Sequence, residues 1–287
     1  MKNNEGKKFV RDFENKIKKT IKKFNLLNKK EKIFAAVSGG KDSTAILYLL
    51  KKLGHNVEAI TVDVLIGKYT KQNLEKIRDF CKKINVKLHV VSFREKFGYS
   101  LCYIRSVLNS KGLDLKSCTI CGVLRRYLIN KYARKLKADK IVTGHNMDDE
   151  AQAILMNLLR NRPDLNARLG PISGILKDKK FIPRVKPLYL TAEKDIIKYS
   201  GIMKFDVDYG KCPCCHDAYR NFIRNLLNNY EEKNPKIKGN IVSYFLKNIK
   251  NLKNNKIDKA MNYCNKCGEP SKGTICQTCN LLSKIKQ

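Results

Sequence analysis

The sequence predicts an α/β fold, a doubly wound parallel sheet followed by a small C-terminal zinc-ribbon module. Short apolar runs alternate with segments of helical periodicity over the first half of the chain. A Ser-Gly-Gly-Lys-Asp-Ser turn joins the first apolar run to a helix, and four cysteines in two Cys-x-x-Cys pairs close the chain. These three observations together favour a nucleotide-binding sheet with a metal-stabilised appendage.

The first predicted element is a basic amphipathic helix. Apolar side chains recur at helical spacing, and lysines occupy the opposite face. We expect the apolar face to pack on the sheet, while the lysines either face solvent or contact a nucleic acid. The apolar positions are Phe9, Phe13, Ile17, Ile21 and Phe24, and the lysines are Lys18, Lys19, Lys22 and Lys23.

Strands and helices then alternate. The apolar run 33–37 is the first strand, and the periodic residues that follow the glycine turn predict a helix. Further strands are predicted at 57–63, 86–91 and 140–144, and helices at 74–84, 121–136 and 149–159. In such a parallel sheet, ligands bind at the carboxyl ends of the strands.

The pattern weakens after Gly170-Pro171. Residues 181–188 are apolar but contain two prolines, which predicts an edge strand or an extended connector. Helices are expected over 192–199 and 218–230. We divide the chain into an N-terminal helix (1–30), a catalytic domain (31–230), a Lys- and Asn-rich linker, helical or partly flexible (231–260), and a finger (261–287).

The glycine turn is predicted to bind a phosphate chain. Two glycines allow close approach of the backbone, the helix that follows offers its N-terminal N–H groups, and a lysine adds positive charge. The loop consists of Ser38, Gly39, Gly40, Lys41, Asp42 and Ser43. It is not a Walker A loop, because Ala35 stands where that motif has its first glycine, and Asp42 follows the lysine.

The charge balance is strongly positive. The 287 residues include 60 Lys and Arg against 26 Asp and Glu, a formal net charge of +34. An AT-rich codon bias would raise Glu together with Lys, so we expect a polyanionic partner, best matched by a nucleic acid. There is no apolar run of about 18 residues that predicts a membrane span. The N-terminus leads into charged helix instead of a signal-peptide core, so we expect a cytoplasmic protein.

The last four cysteines predict a closed metal site. Cys264, Cys267, Cys276 and Cys279 form two Cys-x-x-Cys knuckles, which can place four thiolates around one ion. Zinc is the expected metal, and a rubredoxin-like iron would use the same ligands. Because all four positions are filled by protein, the site should be structural.

The central cysteines allow several interpretations. Cys118 and Cys121 open a predicted helix, and Cys212 lies in a later group with Cys214 and Cys215. The first pair alone is compatible with a redox dithiol, half of a zinc site or ligands of an iron–sulfur cluster. Cys81 and Cys102 lie singly in apolar-periodic segments, where we expect small buried hydrophobic residues.

The order of these motifs resembles the TtcA/TtuA family of tRNA 2-thiolation enzymes, within the ATP pyrophosphatases. The motifs are the loop at 38–43, the Cys-Thr-Ile-Cys-Gly-Val-Leu-Arg-Arg run at 118–126, the Gly-His-Asn-Met-Asp-Asp-Glu-Ala run at 144–151, Cys212-Pro213 and the finger. The Cys-Gly-x-x-Arg-Arg run and Asp-Ala-Tyr-Arg at 217–220 look closest to the archaeal and eukaryotic wobble-uridine thiolases. The fold implied is an adenine nucleotide α-hydrolase-like PP-loop domain.

The resemblance implies the site residues and the reaction. It assigns a [4Fe-4S] cluster to Cys118, Cys121 and Cys212, the catalytic aspartate to Asp149, and the lining of the ATP site to Ala36, Asp42, Val62, Arg125 and Gly144. ATP with Mg²⁺ would adenylate O2 of a tRNA uridine or cytidine, and sulfur would then replace that oxygen. The sulfur donor, either sulfide or a sulfur-carrier protein, and the oligomeric state, a homodimer in many relatives, stay open.

The chain departs from the family pattern in three places. Arg125 replaces a lysine of some members, and arginine cannot act as a proton donor. Cys214 and Cys215 are extra thiols that act as spectators, alternative ligands or a sulfur relay. The N-terminal zinc finger of related proteins does not precede the basic helix, so part of the usual tRNA-binding surface is expected to be missing.

Three other functions compete with this interpretation. A thiolase without a cluster would carry a persulfide on Cys121 or Cys212. A lysidine-synthetase-like ATP pyrophosphatase would share the loop but not need the three central cysteines. A non-catalytic zinc-ribbon RNA-binding protein would explain the finger and the charge, and would leave the phosphate loop without a role.

Overall fold

The computed structural model describes residues 2–113, 115–174, 178–210, 212–214, 218–254 and 261–286. The helices are α1 (Lys2–Lys23), α2 (Lys41–Lys52), α3 (Gly67–Lys83), α4 (Phe93–Phe97), α5 (Leu101–Ser110), α6 (Ser117–Lys135), α7 (Met147–Leu159), α8 (Pro163–Asn166), α9 (Glu193–Ile202), α10 (Ala218–Lys233), α11 (Ile237–Asn254) and α12 (Gln277–Lys286). The strands are β1 (Lys32–Ala36), β2 (Asn56–Asp63), β3 (Leu88–Ser92), β4 (Lys140–Thr143), β5 (Ile172–Ser173), β6 (Arg184–Val185), β7 (Asn262–Tyr263) and β8 (Pro270–Ser271).

The main sheet has the strand order β3-β2-β1-β4-β6-β5. The first five of these strands are parallel, and β5 runs antiparallel to β6. Strand order reverses direction between β1 and β4, which is the switch point where open α/β sheets bind their ligands. The predicted α/β class is confirmed, with one antiparallel strand added at an edge.

Alternate side chains of the central strands point to opposite faces of the sheet, and a layer of helices covers each face. On β1, Ile33 and Ala35 pack in a cluster with residues of α1, α2, α3 and α9, while Phe34 packs in a second cluster with residues of α5, α6 and α12. A third cluster joins α7, α10 and α11. Helices therefore cover both faces, as the doubly wound prediction requires.

The N-terminal helix packs as its periodicity predicts. Phe13 and Ile17 are buried, and the Phe13 ring stacks on Tyr199 of α9 at a centroid distance of 4.2 Å. The four predicted lysines of the opposite face are exposed.

Three expectations need correction. Strand β6 lies inside the sheet, because β5, too short to be recognised in the sequence, pairs beyond it. The helix expected over 74–84 begins earlier, at Gly67. Cys102 is exposed, because the buried face of α5 is formed by Leu101, Ile104 and Leu108, and the next position along points away from it. Cys81 is buried, as expected.

Part of the predicted linker is helical. Residues 231–233 end α10, and α11 follows after a short connection. Residues 255–260 lie outside the described part of the chain, as do Cys215 and residues 216–217. Within the described ranges, no helix combines the length and apolar character needed to cross a membrane.

Candidate active site

The loop at 38–43 lies at the carboxyl end of β1 and leads directly into α2. Gly39 has a φ of +86°, and a Cβ atom there would lie 2.8 Å from Oδ1 of Asn73. The N-cap of α2 is Gly40, which has no side chain to cap the helix, so the first N–H groups are not masked by a side-chain cap. Ser43 Oγ accepts from Ser38 N at 3.2 Å and donates to the Gly40 carbonyl at 3.1 Å, which fixes the shape of the loop.

The backbone that follows the carboxyl end of β4 packs against the first residues of α2. A Cβ atom on Gly144 would lie 2.8 Å from the Ser43 nitrogen and 2.9 Å from the Asp42 carbonyl carbon. Only glycine therefore fits where the backbone after β4 meets the loop. Ala36 is the last residue of β1, and Val62 stands near the end of β2 with its side chain 4% exposed, so it reaches this end of the sheet from within the core.

Asn146 joins the two strand ends. Its side-chain amide donates to Asp42 Oδ1 at 3.0 Å. It is also the N-cap of α7: Asn146 Oδ1 accepts from Asp149 N at 3.0 Å, and Asp149 Oδ2 accepts from Asn146 N at 3.3 Å. This capping box leaves the other Asp149 oxygen to accept from Arg220 at 2.8 Å.

Lys41 lies among carboxylates. Its Nζ is 3.1 Å from Asp42 Oδ2 and 2.7 Å from Glu193 Oε1. Burial alone would lower the pKa of Lys41, but the two carboxylates outweigh that effect and raise the pKa, so the lysine stays positive. Burial raises the pKa of Asp42, although Lys41 and Asn146 oppose the shift.

Two buried lysines form ion pairs with carboxylates of the Gly-His-Asn-Met-Asp-Asp-Glu run at 144–150. Lys238 of α11 donates to Asp148 Oδ1 at 2.6 Å, and Asp148 Oδ2 accepts from the backbone N–H of Glu193 at 2.8 Å. Glu150 is ion-paired with Lys186, and both are buried. The sequence analysis did not identify Glu193 or Lys238 as site residues. The sequence indicated only that Glu193 stands near the start of a predicted helix.

His145 contacts a neighbouring side chain. Its Nδ1 lies 2.9 Å from Thr143 Oγ1. Desolvation, opposed by Asp149 and reinforced by Lys186 and Arg220, lowers its pKa to about 4. The imidazole is therefore neutral near neutral pH.

Arginines gather near Cys121. The Nε atom of Arg125 is buried and has no hydrogen-bond partner among the described residues. Burial and the neighbouring Arg126 lower the pKa of Arg184 to about 10. Such a concentration of cations, one with an unsatisfied donor, suits an anionic ligand.

The structure brings the three central cysteines to one side of the site. Cys118 and Cys121 lie in the first turns of α6. Burial raises the pKa of Cys121, although the nearby Arg125 and Arg126 oppose the shift. The sequence order alone did not place Cys212 beside this helix.

Cys212 follows a segment that is attached to the phosphate loop. Asp208 forms an isolated parallel bridge with Gly40, and its N–H donates to the Gly39 carbonyl at 3.4 Å. Tyr69 is close to Asp208, Cys212 and Arg125, and burial, together with Cys212 and Asp208, raises its pKa. The loop and the segment that leads to Cys212 are thus neighbouring parts of one site.

The donor set of the central cysteines has the chemistry of iron–sulfur ligands. Among the described residues, the only group of three or more metal-ligating side chains with ligand atoms within 4.8 Å of one another is that of the finger. Cys118, Cys121 and Cys212 offer three thiols, and thiolates are the ligands that a [4Fe-4S] cluster uses, each on a different iron.

The finger forms the four-sulfur group that the sequence predicts. It comprises Cys264, Cys267, Cys276 and Cys279, and Gly268, with a φ of +67°, makes the knuckle turn. Burial opposes ionisation of Cys264, but backbone N–H groups prevail and lower its pKa to about 6. Four converging sulfurs fit a tetrahedral zinc ion.

The finger docks on the far end of α6, the helix whose first turns contain Cys118 and Cys121. Both terminal nitrogens of the Arg134 guanidinium donate to the Glu269 carboxylate. The distance from Nη1 to Oε2 is 2.9 Å. Leu281 and Ile285 of α12 pack into the same apolar cluster as α5 and α6. The finger, Cys118 and Cys121 are therefore connected through one helix, α6.

Comparison with known proteins gives one consistent family. Residues 10–231 match the PP-loop domain ATP_bind_3. A tRNA-5-methyluridine(54) 2-sulfurtransferase from Pyrococcus horikoshii is 36% identical over 97% of this chain and 87% of its own length. Cytoplasmic tRNA 2-thiolation protein 1 from Dictyostelium discoideum is 33% identical over 96% of this chain and 76% of its own length.

A solved structure gives the same result. The U34-tRNA thiolase NcsA from Methanococcus maripaludis, determined with its [4Fe-4S] cluster, superposes with a TM-score of 0.81 at 26% identity. The alignment covers 98% of this chain and 88% of NcsA.

Proposed function

The chain belongs to the PP-loop family of tRNA 2-thiolation enzymes, and we propose that it is an ATP-dependent tRNA 2-sulfurtransferase acting on a uridine. One observation carries the proposal. The segment before Cys212 is bridged to Gly40 of the phosphate loop, which supports a single site for nucleotide activation and sulfur delivery. Neither lysidine formation nor RNA binding alone would need that adjacency.

ATP binds with its pyrophosphate in the loop. The N–H groups at the start of α2 and the Nζ of Lys41 bind the phosphate oxygens, and Mg²⁺ enters with the nucleotide. Lys41 exchanges Glu193 for a phosphate oxygen, because both are anions within reach of one flexible side chain. Ala36, Val62 and Gly144 belong to the strand ends that flank the nucleotide.

The target uridine is adenylated next. The base is flipped out of the tRNA, and its O2 attacks the α-phosphate, so that pyrophosphate leaves. Arg125, whose buried Nε has no partner in the described structure, stabilises the charge that develops on the α-phosphate. Asp149, held by Asn146 and Arg220, orients the base or accepts its proton.

Sulfur then replaces the activated oxygen. Cys118, Cys121 and Cys212 would hold a [4Fe-4S] cluster, which supplies an iron without a protein ligand as a place for sulfide. Attack of sulfide at C2 releases AMP. The lysines of α1 and the finger are the basic surfaces that bind the tRNA backbone. The finger would hold zinc.

The products of ATP turnover test this proposal. The full chain, incubated with ATP, Mg²⁺ and unmodified tRNA, should release AMP and pyrophosphate, and turnover should need the tRNA. Release of ADP and phosphate would contradict it, and binding of tRNA without ATP turnover would favour the RNA-binding protein. The relatives act on uridine 54 or uridine 34 by name, and tRNA transcripts altered at one of these positions distinguish the two targets.

A further inference from the structure

Two tyrosine rings at the start of α5 form a stack at the protein surface. We propose that Tyr103, the outer ring, is a stacking platform for an unpaired base of the tRNA, next to the uridine that is flipped out for adenylation. The inference rests on the proposed function, because it names a residue with which the same site holds its RNA substrate.

The two rings are close and nearly parallel. The centroids of Tyr99 and Tyr103 lie 4.9 Å apart, at an interplanar angle of 15°. Tyr99 packs against the apolar cluster that contains the buried residues of α5 and α6, whereas Tyr103 is 50% exposed. Tyr99 covers one face of the Tyr103 ring, and the exposed half of the side chain fits a second face that is open to solvent.

The backbone and the buried neighbours hold Tyr103 in place. Ser100, the N-cap of α5, accepts with its side chain from the Tyr103 N–H at 3.2 Å. Leu101 and Ile104 are buried and attach this turn of the helix to the core. An aromatic ring that is already ordered loses little freedom when a ligand stacks on it, which favours affinity.

The stack lies at the end of the sheet where the nucleotide is expected. The Leu101 N–H donates to the carbonyl of Val64 at 3.0 Å, and Val64 comes directly after β2. The start of α5 is thus attached to the carboxyl end of a central strand. Ile120, in the first turn of α6, packs in the same cluster as Leu101. The tyrosine stack, the end of β2 and the start of α6 are therefore neighbours.

The charge of this segment favours a nucleic acid. Residues 94–111 contain four basic side chains and one acidic side chain. Arg94, Lys96 and Arg105 are exposed. Cations bind the phosphate backbone, and an open aromatic face accepts any base, since every base has a π face. The combination fits RNA better than an uncharged aromatic ligand.

Base flipping gives such a platform a role. Extrusion of the target uridine removes stacking contacts from the bases beside it. A tyrosine face restores one of these contacts, and stacking of a base on an aromatic side chain changes affinity by about tenfold or more. The platform would therefore offset part of the cost of flipping.

Tryptophan fluorescence tests the contact directly. The chain contains no tryptophan, so Y103W introduces a single reporter. Unmodified tRNA added to the full-length Y103W chain should quench the emission with saturation. Y230W is the matched control, because Tyr230 on α10 is 51% exposed, and its emission should not change. Equal quenching in the two variants, or none in Y103W at saturating tRNA, would overturn the proposal.

Steady-state kinetics separate a platform from a merely structural role. Y103L keeps an apolar side chain but removes the ring, and it should raise the KM for tRNA about tenfold while kcat and ATP affinity stay close to wild type. Y103F keeps the ring face and should keep the wild-type KM, as should Y230L. An unchanged KM in Y103L, or an equal rise in Y103L and Y103F, would contradict the platform. Failure of the wild-type chain to turn over ATP with tRNA would instead contradict the proposed function.

Discussion

The side-chain amide of Asn146 donates to Asp42 Oδ1 at 3.0 Å, across a separation of 104 residues. The contact links the phosphate loop after β1 to the capping box that begins α7 after β4. Asp149 is a member of that box. One asparagine thus fixes the position of the proposed catalytic aspartate relative to the nucleotide loop.

We predict that N146A weakens both stability and ATP turnover. Loss of the N-cap should cost about 1 kcal/mol of unfolding free energy, and release of Asp42 and Asp149 should lower kcat for AMP formation. Denaturant unfolding and AMP release measure the two effects. N157A, which removes a side-chain hydrogen bond to Asn166 at the other end of α7, should lose stability without a comparable loss of kcat. Equal turnover losses in both variants would contradict a specific role for Asn146.

We predict that G144A abolishes nucleotide binding. Its new methyl group would lie under 3 Å from backbone atoms of Asp42 and Ser43, so the start of α2 must shift. Binding of ATP, measured by calorimetry, should disappear while the helix content measured by circular dichroism persists. G201A on α9 is the matched control, because no atom lies within 4 Å of its added Cβ. ATP affinity close to wild type in G144A would show that the loop tolerates the displacement.

We predict that R134A loosens the finger. Glu269 is 5% exposed, and removing its partner leaves a buried carboxylate without its ion pair. The expected cost is about 3 kcal/mol, and limited proteolysis should release the C-terminal fragment sooner. R162A removes an exposed bidentate pair with Asp164 and should leave the cleavage rate unchanged. If R134A and the wild type are cleaved at the same rate, the apolar contacts of α12 hold the finger on α6 and the ion pair does not, which would contradict this prediction.

We predict that chain purified without oxygen contains about four irons in addition to the metal of the finger. C212S should lose that iron and keep the finger metal, because the two sites share no ligand. C81A, which alters a buried cysteine outside both groups, should retain the iron. Metal analysis by mass spectrometry gives both counts. Less than one iron per wild-type chain beyond the finger would contradict the cluster and favour persulfide chemistry on Cys121 or Cys212.

The parts of the structure that depend on local patterns could be predicted from the sequence. The strands, the basic helix and the two-knuckle finger have periodic or spaced residues that carry their own signal. Strand β5 has two residues and therefore no pattern, which is why β6 was expected at the edge. The start of α3 lacks apolar periodicity and was also missed.

The contacts within the site were not predictable in the same way. Glu193, Lys238 and Arg220 reach Lys41, Asp148 and Asp149 through the tertiary fold, and no local spacing connects them. Cys102 shows the opposite difficulty. Its apolar neighbours suggested burial, but its position outside the helix face formed by Leu101, Ile104 and Leu108 decided its exposure.

The most direct test of the account is nucleoside mass spectrometry of tRNA after incubation with the anoxically purified full chain, ATP, Mg²⁺ and sulfide. The account predicts a uridine in which sulfur replaces O2, formed only when ATP is present and lost in D149N and C212S. Adenylate turnover without any thiolated nucleoside, or a thiolated nucleoside formed without ATP, would contradict it.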